Sequence, residues 1–238
     1  MKRIGVVTSG GDAPGMNAAL RAIVRTAHPT GAKIIGFRRG YEGLITNNTV
    51  LLDSRSVGGI IHLGGTILHT VRCPEFYTEK GLKKAAENLE KNKIEGLIVI
   101  GGNGSFKGAY ELSEKCRTAI IGIPATIDND VYGTDETIGF DTAVNTAVTL
   151  IDKIRDTAVS HERIFIVEVM GRKRGFLALE VGLTVGAENI LVPEIKPNIE
   201  KVCEKIRENA EKGKKSNIII AAEGVGDTRK IAKEIGEK

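Results

Sequence analysis

Tryptophan is absent, and aromatic residues make up only 4% of the 238 residues, so the interior has to be built from aliphatic side chains. Cysteine is scarce: Cys73, Cys116 and Cys203 show no CxxC spacing and indicate neither a disulfide framework nor a zinc site, which fits a reducing cytoplasm. No apolar run reaches the length of a signal peptide or a transmembrane helix, so no membrane partner is expected. An excess of one charge is also missing. The 34 basic and 30 acidic residues leave a net charge of +4 spread along the chain, and the longest basic clusters, Arg172-Lys173-Arg174 and Lys212-Gly213-Lys214-Lys215, are short. That distribution argues against a nucleic-acid surface and is compatible with anionic metabolites. Neither the GxGxxG nor the GxxxxGK[ST] nucleotide fingerprint occurs.

What the chain does have is glycine, 29 residues of it, in an ordinary globular balance of 41% hydrophobic and 27% charged residues. Two stretches stand out: Ile4-Gly5-Val6-Val7-Thr8-Ser9-Gly10-Gly11-Asp12 and Leu97-Ile98-Val99-Ile100-Gly101-Gly102-Asn103-Gly104-Ser105. Each is a β-branched run that stops at paired glycines and gives way to a helical pattern. A parallel strand delivers phosphate to a helix N-terminus in this way, glycine admitting the anion close to the backbone and the unpaired N–H groups of the helix donating to it. The same pattern also describes a plain tight βα loop.

Strand and helix signals alternate along almost the whole chain. Strands are expected at Arg3–Thr8, Lys33–Phe37, Leu97–Ile100, Ala119–Ile123, Ile164–Val169, Asn189–Val192 and Asn217–Ala222. Helices are expected at Gly15–Ala27, Thr78–Lys91, Ser105–Lys115, from about Val144 through Val159, at Gly175–Val185, after an Asn198 cap, and at Asp227–Ile235. The segment from Arg38 to Thr70 gives no clear pattern beyond a short helix around Val57–His62 and a turn at Gly64-Gly65. The alternation predicts an α/β protein: Rossmann-like three-layer domains with mainly parallel sheets and ligands at the carboxyl ends of strands. The one natural division falls near Thr137–Phe140, giving domains over 1–138 and 139–238.

The loop Pro124-Ala125-Thr126-Ile127-Asp128-Asn129-Asp130 follows a strand directly. Were it extended, Asp128 and Asp130 would point to the same side. Such a pair can split duties, one carboxylate taking a proton and the other holding a metal or water; alternatively the loop is an Asx-rich turn whose side chains cap the local backbone.

Taken together, Thr8-Ser9-Gly10-Gly11-Asp12-Ala13-Pro14-Gly15-Met16-Asn17, Arg72-Cys73-Pro74-Glu75-Phe76, Gly101–Ser105, Thr126–Asp130 and Val167-Glu168-Val169-Met170-Gly171-Arg172 stand in one order. In that order they resemble the bacterial-type ATP-dependent 6-phosphofructokinases over the whole chain. The resemblance implies the phosphofructokinase fold, with an ATP-binding first domain and a sugar-phosphate-binding second. It implies the transfer of a phosphoryl group from Mg²⁺-bound ATP to fructose 6-phosphate, giving ADP and fructose 1,6-bisphosphate, in a cytoplasmic homotetramer. Gly11, Arg72, Cys73, Gly102, Asn103, Gly104 and Ser105 correspond to the nucleotide contacts, with Cys73 acting through its position and not its thiol. Asp128 corresponds to the general base, while Thr126, Arg72 and Arg172 correspond to groups that stabilise the transferring phosphoryl. Asp130, Met170, Gly171 and Glu223 match sugar-side positions, and Arg163 matches a phosphate contact that reaches a neighbouring subunit's site. Arg21, Arg25, Arg155, Gly186, Glu188, Lys212 and Lys214 resemble the family's allosteric nucleotide site.

This sequence departs from the family pattern in three places. Asn103 stands where the family carries a metal-holding Asp, leaving an amide oxygen and Asp130 as the metal-side donors. Ala125 stands where Gly is common; with Gly104 retained, neither position carries the Asp and Lys typical of pyrophosphate users. The third departure is length: the sequence ends at Lys238, shortly after Glu223, whereas the family continues through a further strand and an HIQRGG-like segment that grips the sugar 6-phosphate. The expectation is therefore a C-terminally short member with weak fructose 6-phosphate binding, or alternatively a nucleotide-binding member of little or no activity.

Overall fold

A computed structural model describes residues 2–238, which divide into two compact units. The first takes residues 2–126 and Val131–Gly139, and the second takes Ile127–Asp130 and Phe140–Lys238. The carboxylate loop, assigned by the sequence pattern to 1–138, thus groups with the second unit, where Asp128 has its ionic partner Arg172.

The first unit is a five-stranded sheet of β1 (Arg3–Thr8), β2 (Lys33–Phe37), β3 (Thr49–Leu52), β4 (Gly96–Gly101) and β5 (Ala119–Pro124). The strand order is β3-β2-β1-β4-β5, parallel except for β3, which runs antiparallel to β2. Helices α1 (Met16–Ala27), α2 (Tyr41–Thr46), α3 (Glu79–Lys91) and α4 (Asn103–Ser113) connect the strands. The scarcity of aromatics shows in the core, where Val7, Leu44, Leu82, Leu89, Leu97, Val99 and Leu112 surround only Phe37, Tyr41 and Phe76. In α3, Leu82, Ala85 and Leu89 recur at three and four residues and are buried, each large side chain contributing about 1.5–3 kcal/mol. Thr78 starts that helix by accepting the Gly81 N–H at 3.1 Å.

The second unit is a parallel sheet of β6 (Ile164–Val169), β7 (Asn189–Leu191) and β8 (Asn217–Ala222) in the order β6-β8-β7. Helices α5 (Phe140–Ser160), α6 (Phe176–Thr184), α7 (Ile199–Glu211) and α8 (Thr228–Glu237) accompany it. Every residue of β8 is buried, as expected of the central strand of a parallel sheet, and its alternate side chains feed two apolar clusters. Asn198 Oδ1 accepts the Lys201 N–H at 3.1 Å and caps α7, in which Cys203 packs into the interior.

Three local readings change. No helix forms around Val57–His62: Asp53 turns the chain by accepting the N–H groups of Arg55 and Ser56, and Gly59 takes φ 67°, which a helix cannot accommodate. The unpatterned stretch instead holds α2 and β3, both too short to show a period. Asn129 sits at φ 48°, so the carboxylate loop is bent and the same-side rule for Asp128 and Asp130 does not apply.

Candidate active site

In the first unit, β1 and β4 are parallel neighbours in the register Thr8↔Ile100, so the two glycine turns that follow them emerge side by side at the carboxyl edge of the sheet. Ser9 N–H donates to the Ile100 carbonyl at 3.0 Å, and Ser105 Oγ donates to the Ser9 carbonyl at 2.8 Å. The approach is close enough to require glycine at 101, since a Cβ there would lie 2.5 Å from Ser105 Oγ and 2.6 Å from the Ser9 carbonyl oxygen. Ser105 is buried, while Gly11, Asn103 and Gly104 are exposed at the surface of these turns. Gly102 is the N-cap of α4 with no side-chain cap, leaving the N-terminal N–H groups of that helix without a side-chain acceptor from Gly102.

Arg72 is exposed and Cys73 half-buried, just before a single 3₁₀ turn at Pro74–Tyr77. Desolvation pushes the Cys73 thiol up, so it is held as a thiol and not as a nucleophile. Phe76 stacks on Tyr41 with ring centroids 3.8 Å apart, and Tyr77 Oη donates to the Gly104 carbonyl at 3.1 Å. Tyr41 Oη donates to the Ser105 carbonyl, and Thr70 Oγ1 donates to the Gly10 carbonyl at 2.8 Å. Tyr41, Thr70 and Tyr77 therefore brace both turns, a role sequence reading missed: Tyr41 and Thr70 lie in the stretch without a pattern, and no spacing links them to positions 10 or 105. Thr126 follows β5, its carbonyl accepting from Thr137 Oγ1 at 2.6 Å.

In the second unit, Asp128 is 4% exposed and its Oδ2 lies 3.4 Å from Arg172 Nε, whose side chain is 62% exposed. Desolvation pushes the Asp128 carboxyl above its ordinary range; Arg172 opposes the shift, and Asp130 and Glu223 add to it. Arg172 follows the carboxyl end of β6 in a left-handed turn, φ 52°, with Gly171 buried and Met170 exposed. Glu223, just past β8, accepts the N–H groups of Gly171, at 3.2 Å, and Arg172. Asp128, Gly171, Arg172 and Glu223 are thus brought together. Arg163 is not: it is exposed and precedes β6, at the opposite end of the strand from Arg172.

Of the positions matched to an allosteric site, those in the second unit form two linked groups. Arg155 Nη2 donates to the Val185 carbonyl beside Gly186, and the buried Glu188 carboxylate receives the Lys214 ammonium and the Ile218 N–H. Burial pushes Glu188 up, but the Lys214 and Ile218 contacts outweigh it and hold the carboxyl below its ordinary value. Lys212 is exposed at the end of α7. In the first unit, Arg21 Nη1 donates to the Val57 carbonyl at 2.6 Å and Arg25 is exposed.

Among the described residues no group of three or more His, Cys, Asp or Glu side chains forms a metal cage. The first unit offers the Asn103 amide oxygen and the second the Asp130 carboxylate. Each by itself is the kind of oxygen donor that suits a hard divalent cation that keeps water and arrives bound to phosphates.

The first unit thus carries paired glycine turns at the carboxyl edge of a parallel sheet, and the second carries a buried carboxylate beside a guanidinium; each is an arrangement that phosphate-ester chemistry uses. Residues 3–238 match the family described as Phosphofructokinase, and the chain belongs to that family. It is 58% identical over 224 residues to the ATP-dependent 6-phosphofructokinase 1 of Thermus thermophilus, covering 94% of this chain and 70% of that protein. The ATP-dependent 6-phosphofructokinase of Halothermothrix orenii is 56% identical over 227 residues, 95% of this chain and 68% of its own. The structure of phosphofructokinase from Saccharomyces cerevisiae superposes with a TM-score of 0.90 at 37% identity, covering 99% of this chain and 37% of that one.

Proposed function

We propose that this chain is an enzyme that transfers the γ-phosphoryl group of ATP to the 1-hydroxyl of fructose 6-phosphate, giving ADP and fructose 1,6-bisphosphate, a step of glycolysis. The observation that carries the reading is the buried Asp128 carboxylate, made more basic by desolvation and held beside the Arg172 guanidinium. A general base needs this environment, and a phosphoryl group in transit needs the adjacent cation. The names of the relatives above support the same substrates.

In this reading the first unit binds the nucleotide through Gly11, Arg72, Cys73 and Gly102–Ser105, with phosphate facing the turns and the start of α4. The second unit binds the sugar phosphate through Arg163, Met170, Gly171, Arg172 and Glu223. Asp128 takes the proton of the attacking hydroxyl, the new bond forms between that oxygen and the γ-phosphorus, and the bond to the ADP oxygen breaks. Arg72, Arg172 and Thr126 stabilise the negative charge spread over the phosphoryl oxygens. Mg²⁺ would be held by the nucleotide phosphates with Asn103 and Asp130, and when bound it neutralises phosphate charge. Arg21, Arg25, Arg155, Gly186, Glu188, Lys212 and Lys214 serve a regulatory nucleotide.

Three free cysteines support a cytoplasmic setting. Phe176, Leu179 and Leu183, an exposed stripe on α6, support assembly into a homotetramer. A coupled assay for fructose 1,6-bisphosphate tests the activity, with Asp128→Ala as the control. Product formed at equal rates by both proteins, or by neither, overturns the reading.

A further inference from the structure

We propose that Glu223 is a positioning residue: one oxygen of its carboxylate pins the backbone of Gly171 and Arg172, keeping the Arg172 guanidinium at Asp128. The inference rests on the activity proposed above and adds to it a role for Glu223 that acts through another residue.

The fold delivers Glu223 to this place. Strands β6 and β8 are paired in the register Val169↔Ala222, so the residues that follow each strand leave the sheet side by side. Strand β8 is buried throughout and provides a rigid base. Beyond it, Glu223 Oε1 accepts both the Gly171 N–H and the Arg172 N–H, two donors on one oxygen. The turn Glu223–Val225 packs so closely that a Cβ on Gly224 would lie 2.3 Å from the Arg172 carbonyl oxygen. Arg172 itself is left-handed at φ 52°, a conformation that a non-glycine residue keeps only where its surroundings impose it. Hydrogen bonds to a carboxylate are among the stronger ones available to a backbone N–H. The far end of the same loop has its own hold, since Glu194 Oε1 accepts the Gly175 N–H at 3.0 Å. Arg172 therefore reaches Asp128 from a loop fixed at both ends by carboxylates, although its side chain is largely in solvent.

The test compares Glu223→Gln, which keeps an acceptor oxygen without the charge, with Glu223→Ala, which removes both. Amide hydrogen exchange in the ligand-free chain should be about tenfold faster or more at Gly171 and Arg172 in Glu223→Ala, close to the parent in Glu223→Gln, and unchanged at Gly175 in both. Glu223→Asp, one methylene shorter, should expose the same two amides and serves if the alanine variant does not fold. Parent-like exchange at Gly171 and Arg172 in Glu223→Ala, or exchange in Glu223→Gln as fast as in Glu223→Ala, overturns the proposal. The readout needs no substrate, so failure of the proposed activity is a separate result.

Discussion

Ser105 Oγ donates a hydrogen bond to the carbonyl oxygen of Ser9 at 2.8 Å, joining the two glycine turns that end β1 and β4. Both groups are buried, and the bond connects segments 96 residues apart in sequence. Removing the hydroxyl leaves a buried carbonyl short of a donor, so Ser105→Ala is expected to destabilise the chain by about 1–3 kcal/mol. Urea unfolding monitored by circular dichroism measures this, and a midpoint equal to the parent's would show that the turns are fixed by other contacts.

Asp128 is expected to trade stability for activity. Its carboxyl titrates above the ordinary value in the folded chain, so ionising it opposes folding. That penalty is absent below the unfolded-state pKa and complete above the folded one. Asp128→Asn should therefore be at least as stable as the parent at pH 7, with its advantage shrinking as pH falls, while bisphosphate formation drops by orders of magnitude and ADP affinity stays unchanged. Thermal unfolding across pH and a nucleotide titration check the two halves; a variant clearly less stable at pH 7 contradicts the first.

Glu188 behaves in the opposite sense. Its carboxyl is held below the ordinary value, so its contribution is present above the unfolded-state pKa and is lost as pH falls through the folded one. With its side chain 5% exposed and bonded to Lys214 and the Ile218 N–H, Glu188→Ala should lose about 1.5–3 kcal/mol at pH 7. The difference from the parent should narrow below about pH 4. Denaturation at both pH values decides it, and a gap that does not change with pH excludes an ionised Glu188 as the cause.

Asn103 is the first residue of α4, where a carboxylate also complements the helix dipole. Asn103→Asp should stabilise the ligand-free chain by about 0.3–1 kcal/mol and increase Mg²⁺ affinity in the presence of ADP. Calorimetric Mg²⁺ titration of both proteins with ADP bound measures the second effect. Equal affinities would assign the cation to the phosphates and Asp130.

Most strands and helices were legible in the sequence, because β-branched runs, three-and-four apolar spacing and caps such as Thr78 and Asn198 are local physics. So were the glycine turns and the order of motifs that leads to the family. Short-range pattern could not supply the bend at Asn129, which removes the same-side geometry of Asp128 and Asp130. Nor could it supply the region from Arg38 to Thr70, where α2 and β3 are too short for a period and Asp53 and Gly59 replace a helix with turns. Tertiary structure alone decided that Thr8 meets Ile100, so that Ser105 reaches Ser9, and that Val169 meets Ala222, so that Glu223 reaches the backbone of Arg172. Strand register is set by how whole apolar faces pack, and it places side by side residues whose separation in sequence carries no signal.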